Sequence, residues 1–150
     1  MMMTYNEIMN RVDISKPFSQ GVRIELESKS SSASAKINFD NELFWVNEIV
    51  VTGRDASGKI LDTAGDRELI TATFNDNFKV KYQGNESQEI FGLNNTHLKR
   101  PNFGWLIKPN AEMTVTLQST PNDDGTDANT FPYIIQIDMK GFVVEPPPVQ

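Results

Sequence analysis

The sequence contains no cysteine and a single histidine, His97. Without thiols there is no disulfide framework, no thiolate zinc or iron–sulfur site and no cysteine nucleophile. One histidine also excludes a histidine-rich metal centre or a catalytic histidine pair. Long apolar runs are missing too: no stretch approaches the roughly 18 residues that suggest a membrane-spanning helix. Met1 to Glu7 lacks the basic region and apolar core of a secretory signal, so a protein made in the cytoplasm and not spanning a membrane is expected. Positive charge is in deficit, with 14 Lys plus Arg against 20 Asp plus Glu and a formal net charge of -6. That balance argues against broad attraction to nucleic acid or to an anionic membrane surface.

What the chain does have is length enough for one domain. With 150 residues, it can bury about 68–70% of the surface its unfolded form exposes, which makes a covalent or metal staple unnecessary. Thr4 with Glu7 three residues later fits a capping box, and Tyr5, Ile8, Met9 and Val12 follow a helical apolar spacing. A helix of about eight residues is marginal alone, so its stripe needs a host, either its own domain or a neighbouring subunit.

From Gly21 the period changes to two. Val22, Ile24 and Leu26 alternate with Arg23, Glu25 and Glu27, the pattern of a strand with one buried face. The serine-rich segment 28–35 reads as a mobile loop. Ile37 and Phe39 resume alternation, and residues 44–52, rich in aromatic and β-branched side chains, read as a central strand. Ile70 to Phe74 and Phe78 to Tyr82 form a hairpin pattern around Asn75-Asp76-Asn77. Met113, Val115 and Leu117 mark one late strand, Tyr133, Ile135, Ile137 and Met139 another, with a polar loop at 121–132 between them. With no helical period after the first segment, the class is all-β, a sandwich or barrel. The expected core is Val22, Ile24, Leu26, Ile37, Phe39, Val46, Ile70, Phe74, Val115, Leu117, Ile135 and Ile137.

Three segments are candidates for chemistry. Gly53 to Lys59 has the glycine spacing and lysine of a phosphate-binding loop, but Ile60 stands where Ser or Thr would hold magnesium, and no helix follows before Gly65. A hairpin with Asp55-Ala56-Ser57-Gly58 at its tip is expected instead, and Lys59 is not expected to bind nucleotide. Thr120 to Asp127 resembles the first half of a calcium loop, yet Thr120 falls at the first ligand position and Phe131 at that of the bidentate glutamate; a looser site from Asp123, Asp124 and Asp127 stays open beside an ordinary acidic loop. Thr96 to Trp105 interleaves His97, Lys99 and Arg100 with Phe103 and Trp105; this suits a crossover loop capping the core, or sugar stacking, better than a nucleic-acid footprint. No acid–base partner for His97 is identifiable by spacing, so the chain is expected not to be an enzyme.

The second half, roughly residues 68–144, resembles a jelly-roll domain found in bacteriophage virion proteins. The resemblance is carried by Pro101-Asn102-Phe103-Gly104-Trp105-Leu106-Ile107, by Lys108-Pro109-Asn110 leading into Val115 and Leu117, and by the closing strand from Ile134 to Gly141-Phe142-Val143. It implies an antiparallel two-sheet sandwich of jelly-roll type, with no cofactor and no catalytic residues, acting as a capsid decoration or minor capsid component. The partners implied are other virion proteins and copies of itself, a trimer favoured, with no nucleic acid and no membrane. The expected organisation is an arm with the short helix at 1–20, the sandwich at 21–144, and a proline-rich tail at 145–150 that cannot continue a sheet. The expected partner contacts are Tyr5, Ile8, Met9 and Val12 on the arm and Pro146, Pro147 and Pro148 on the tail. Deleting residues 1–14 is then expected to spare the body. A carbohydrate-binding module using an exposed Trp45 or Trp105 is the alternative.

Overall fold

The computed structural model describes residues 5–28, 31–61, 69–77, 80–83, 104–120 and 130–145. The elements in chain order are α1 (Tyr5–Arg11), β1 (Val12–Leu26), β2 (Ser32–Asn38), β3 (Leu43–Arg54), β4 (Leu69–Asp76), β5 (Val80–Gln83), β6 (Trp105–Ile107), β7 (Glu112–Thr120) and β8 (Tyr133–Val144). They form two four-stranded sheets, ordered β1-β8-β3-β6 and β2-β7-β4-β5, with every paired neighbour antiparallel. Alternating the chain between two sheets in this order is the jelly-roll winding, so the expected fold is observed.

The core lies between the sheets and follows from the strand period. Ile24 and Leu26, then Tyr133, Ile135, Ile137 and Met139, point inward from one sheet; Ile70, Ala72 and Phe74, with Met113, Val115 and Leu117, point inward from the other. Full burial of each large side chain contributes about 1.5–3 kcal/mol relative to exposure. Every expected core residue is buried except Val22, which is half-buried against the cluster. Phe18 extends the core at its edge, its ring centroid 4.0 Å from that of Phe44.

Residues 44–52 do lie in an interior strand, since β3 is flanked by β8 and β6. Its register shifts between Val46 and Glu48, so inward positions are even up to Val46 and odd from Ile49. The expected β4–β5 hairpin forms, but Asn75 and Asp76 belong to β4 and only Asn77 lies past its end. Lys108 to Ala111 connects β6 to β7 by a turn with Pro109 second and Asn110 third, Asn110 at φ 60 and the Ala111 amide 3.2 Å from the Lys108 carbonyl. Those are the residues a type II turn favours at those places.

Two boundaries differ from expectation. Residues 32–35, expected as loop, are strand: β2 pairs with β7 along its whole length, from Ser32↔Gln118 to Asn38↔Glu112. The period of two was present, but its inward members Ala33 and Ala35 are too small to announce a strand. The arm is also shorter than 20 residues, because β1 begins at Val12 opposite Val144 and continues to Leu26 opposite Tyr133. Pro17 concealed this, yet a proline is tolerated on an edge strand, and β1 is an edge.

Candidate functional site

Four consecutive apolar residues open β3, and a strand cannot send all of them inward. Phe44 and Val46 join the core, while Leu43 and Trp45 emerge on the opposite face of the sheet. On β8, Val144 stands opposite Leu43 and Phe142 opposite Trp45. The resulting outward apolar patch is covered by α1. Ile8 is 4% exposed and packs with Leu43, Trp45 and Val144, with Met9, Val12 and Leu106 partly buried around them. Glu7 in the first turn and Arg11 in the last match the helix dipole, and the Glu145 amide donates to the Arg11 carbonyl at 2.8 Å, tying the helix end to the end of β8. Gly104 completes the patch, since a β-carbon there would collide with the Trp45 indole.

The host for the N-terminal stripe is therefore the chain's own sheet. Of the residues expected to contact a neighbouring subunit, Ile8 is buried within the domain, while Met9 and Val12 pack beside it and stay partly exposed. The Tyr5 side chain and Pro146, Pro147 and Pro148 lie outside the described residues.

Both tryptophans are buried, Trp45 at 6% and Trp105 at 9% exposure. Trp105 faces the core, its ring 5.2 Å from that of Phe74. Neither forms the exposed platform that a sugar-stacking module requires, which corrects the expectation that Trp45 or Trp105 is exposed.

The segment from Gly53 to Leu61 is the expected hairpin. Arg54 bridges Ile60, the Asp55 amide donates to the Lys59 carbonyl at 2.9 Å, and Gly58 takes φ 89 at the tip. The buried Asp55 carboxylate accepts from the Ser57 hydroxyl at 2.7 Å, the Ser57 amide at 3.0 Å, the Lys59 amide at 2.9 Å and the Thr130 amide at 3.3 Å. A phosphate-binding loop would turn such amides toward a ligand; here an internal carboxylate already takes them. The Ser57 hydroxyl, then the backbone amides, hold the Asp55 carboxyl below its ordinary range despite burial acting the other way. Asp13 repeats the device with Ser15, whose hydroxyl and amide donate to it at 2.6 and 3.0 Å and lower its titration in the same sense. Sequence reasoning passed over both, although the signal is short and legible: Asp-x-Ser, in which the serine closes a turn on the aspartate.

The candidate calcium ligands at 122–127, and His97, Lys99, Arg100 and Phe103, lie outside the described residues. Among the described residues, no group of histidines and carboxylates gathers as a metal site would need, and no helix is long and apolar enough to cross a membrane. No protein-family model matches the chain, and neither a curated protein nor a solved structure does.

Proposed function

We propose that this protein is a non-enzymatic structural component of a bacteriophage particle, of the capsid decoration or minor capsid kind, that binds neighbouring subunits and stabilises the shell. The observation that carries this reading is the jelly-roll strand order, β1-β8-β3-β6 against β2-β7-β4-β5, a winding used by capsid proteins, lectins and cupins. Within that set, the described inner faces favour the capsid use. They are filled by apolar side chains from both sheets, whereas a cupin uses its interior for ligands and a lectin presents aromatic or polar groups in a concave site.

A second feature suits the role. The Arg11 carbonyl and Glu145 amide are hydrogen-bonded, so the C-terminal end of α1 and the end of β8 lie at one corner of one sheet. By the resemblance to virion proteins, the expected form is a closed homo-oligomer, a trimer favoured.

Sedimentation velocity over a wide concentration range, with and without phage particles lacking the protein, tests the reading. A discrete symmetric oligomer that co-sediments with the particles is expected. A monomer at every concentration that stays in the supernatant would overturn it.

A further inference from the structure

The four sheet edges of the fold are unequal. β5 has four residues and β6 three, both short. β1 is longer, but three residues, Ile14-Ser15-Lys16, bulge out between the pairs Asp13↔Val143 and Pro17↔Phe142. Pro17 follows, then Arg23 and Glu25. Short length, bulges, proline and charge are the ways proteins discourage strand addition. β2 has none of them: seven residues in unbroken register, no proline, and Lys36 as its one charge.

The hydrogen-bond pattern shows which backbone groups of β2 are exposed. The Ser119 amide donates to the Ser31 carbonyl at 3.0 Å, and the Phe39 amide to the Ala111 carbonyl at 2.9 Å. Ser31 and Phe39 flank the β2–β7 ladder in the same register. Bonded and non-bonded pairs alternate along an antiparallel ladder, so Ala33, Ala35 and Ile37 bond to β7 as Ser31 and Phe39 do. Ser32, Ser34, Lys36 and Asn38 therefore turn their amides and carbonyls away from β7, and no strand among the described residues pairs with them. Their side chains are all exposed.

We propose that this edge of β2 pairs antiparallel with β2 of a second copy of the chain, joining the two β2-β7-β4-β5 sheets into one. The strand is complementary to itself. With the two-fold axis at Ala35, Ser34 faces Lys36 of the other copy and Ser32 faces Asn38, so every outward group is matched and no like charges meet. An axis at Lys36 would set lysine against lysine, which is unfavourable. An axis at Ser34 would leave Asn38 without an opposite residue in the strand. On the inward side Ile37 of one copy lies opposite the small Ala33 of the other, both contiguous with their own cores. The inference is independent of the virion reading: a paired edge with no affinity for particles, or the converse, is a separable result.

Ser34→Pro is the test. Because the Ser34 amide bonds nothing within its own sheet, the ring removes only the outward donor and the exposed contact of the Ser34 hydroxyl with Thr116 at 2.9 Å. The melting temperature should hold while the mass at high concentration falls to half that of the wild type. Charge checks the register without proline. Ser34→Lys should weaken association roughly tenfold by facing Lys36, and adding Lys36→Glu should restore it. Amide exchange at Ser32, Lys36 and Asn38 should slow as concentration rises. A wild-type chain that never exceeds the mass of Ser34→Pro, or a Ser34→Pro variant that keeps the full mass, would sink the proposal.

Discussion

The outer faces of the two sheets began from the same alternating rule and ended differently. On the β2-β7-β4-β5 sheet, Ser32, Ser34, Lys36, Thr71, Thr73, Thr114, Thr116 and Gln118 point outward and meet water. Lys36 pairs with Glu112 at 3.1 Å, both exposed. On the β1-β8-β3-β6 sheet, one end is apolar on both faces because Leu43-Phe44-Trp45-Val46 puts large side chains at both parities. That end needed a cover, and α1 supplies it. A sheet face is open when its strands alternate strictly; it becomes a docking surface for the chain's own helix where alternation fails.

The largest expected difference lies between Trp45 and Thr116. Trp45→Ala empties the covered end and should cost about 3–5 kcal/mol, against about 0.5 kcal/mol or less for Thr116→Ala on the open face. Urea unfolding of both variants measures this, and equal effects would erase the distinction between the faces. Next comes the cover itself. Ile8→Ala should cost about 2 kcal/mol, the low end for such a truncation because the helix can shift over the gap. Deleting residues 1–11 should lower the melting temperature and raise dye binding to Leu43, Trp45 and Val144, reversing the earlier expectation that the body is indifferent to this segment.

A smaller effect concerns acid. The Asp55 carboxyl titrates below its unfolded value, so its contribution is complete above that value and is lost as pH falls through the folded one. Unfolding measured at falling pH should show a steeper loss below about pH 4 in the wild type than in Asp55→Asn, while Asp13→Asn, in an exposed turn, changes the slope less. The smallest effect is at Ser119, whose buried hydroxyl has no hydrogen-bond partner. Ser119→Ala should be neutral or slightly stabilising, because it removes a desolvated polar atom without breaking a bond; a clear loss of stability would mean the hydroxyl is satisfied by water.

Strands were legible where the inward residues are large, as in Ile135, Ile137 and Leu117. The first half of β2 was missed because Ala33 and Ala35 give its inward face so little hydrophobic contrast against Ser32 and Ser34. The helix was legible from its spacing, but the spacing could not name its host. The Lys59 segment was read correctly as a hairpin because a missing Ser or Thr and a missing helix are local facts. The tryptophans were not readable: a strand shows that neighbours face opposite ways, and only the layers above and below decide whether either way is exposed.

The sequence by itself determined the all-β class, the period-two core and the turn chemistry, because each depends on residues close together in the chain. Tertiary structure alone decided the strand order, the burial of Trp45 beneath α1, the internal use of Asp55 and a β2 edge with no paired strand among the described residues. Those depend on which distant segments meet: β1 reaches β8 across the length of the domain, and only that meeting sets the helix at its end upon Leu43, Trp45 and Val144.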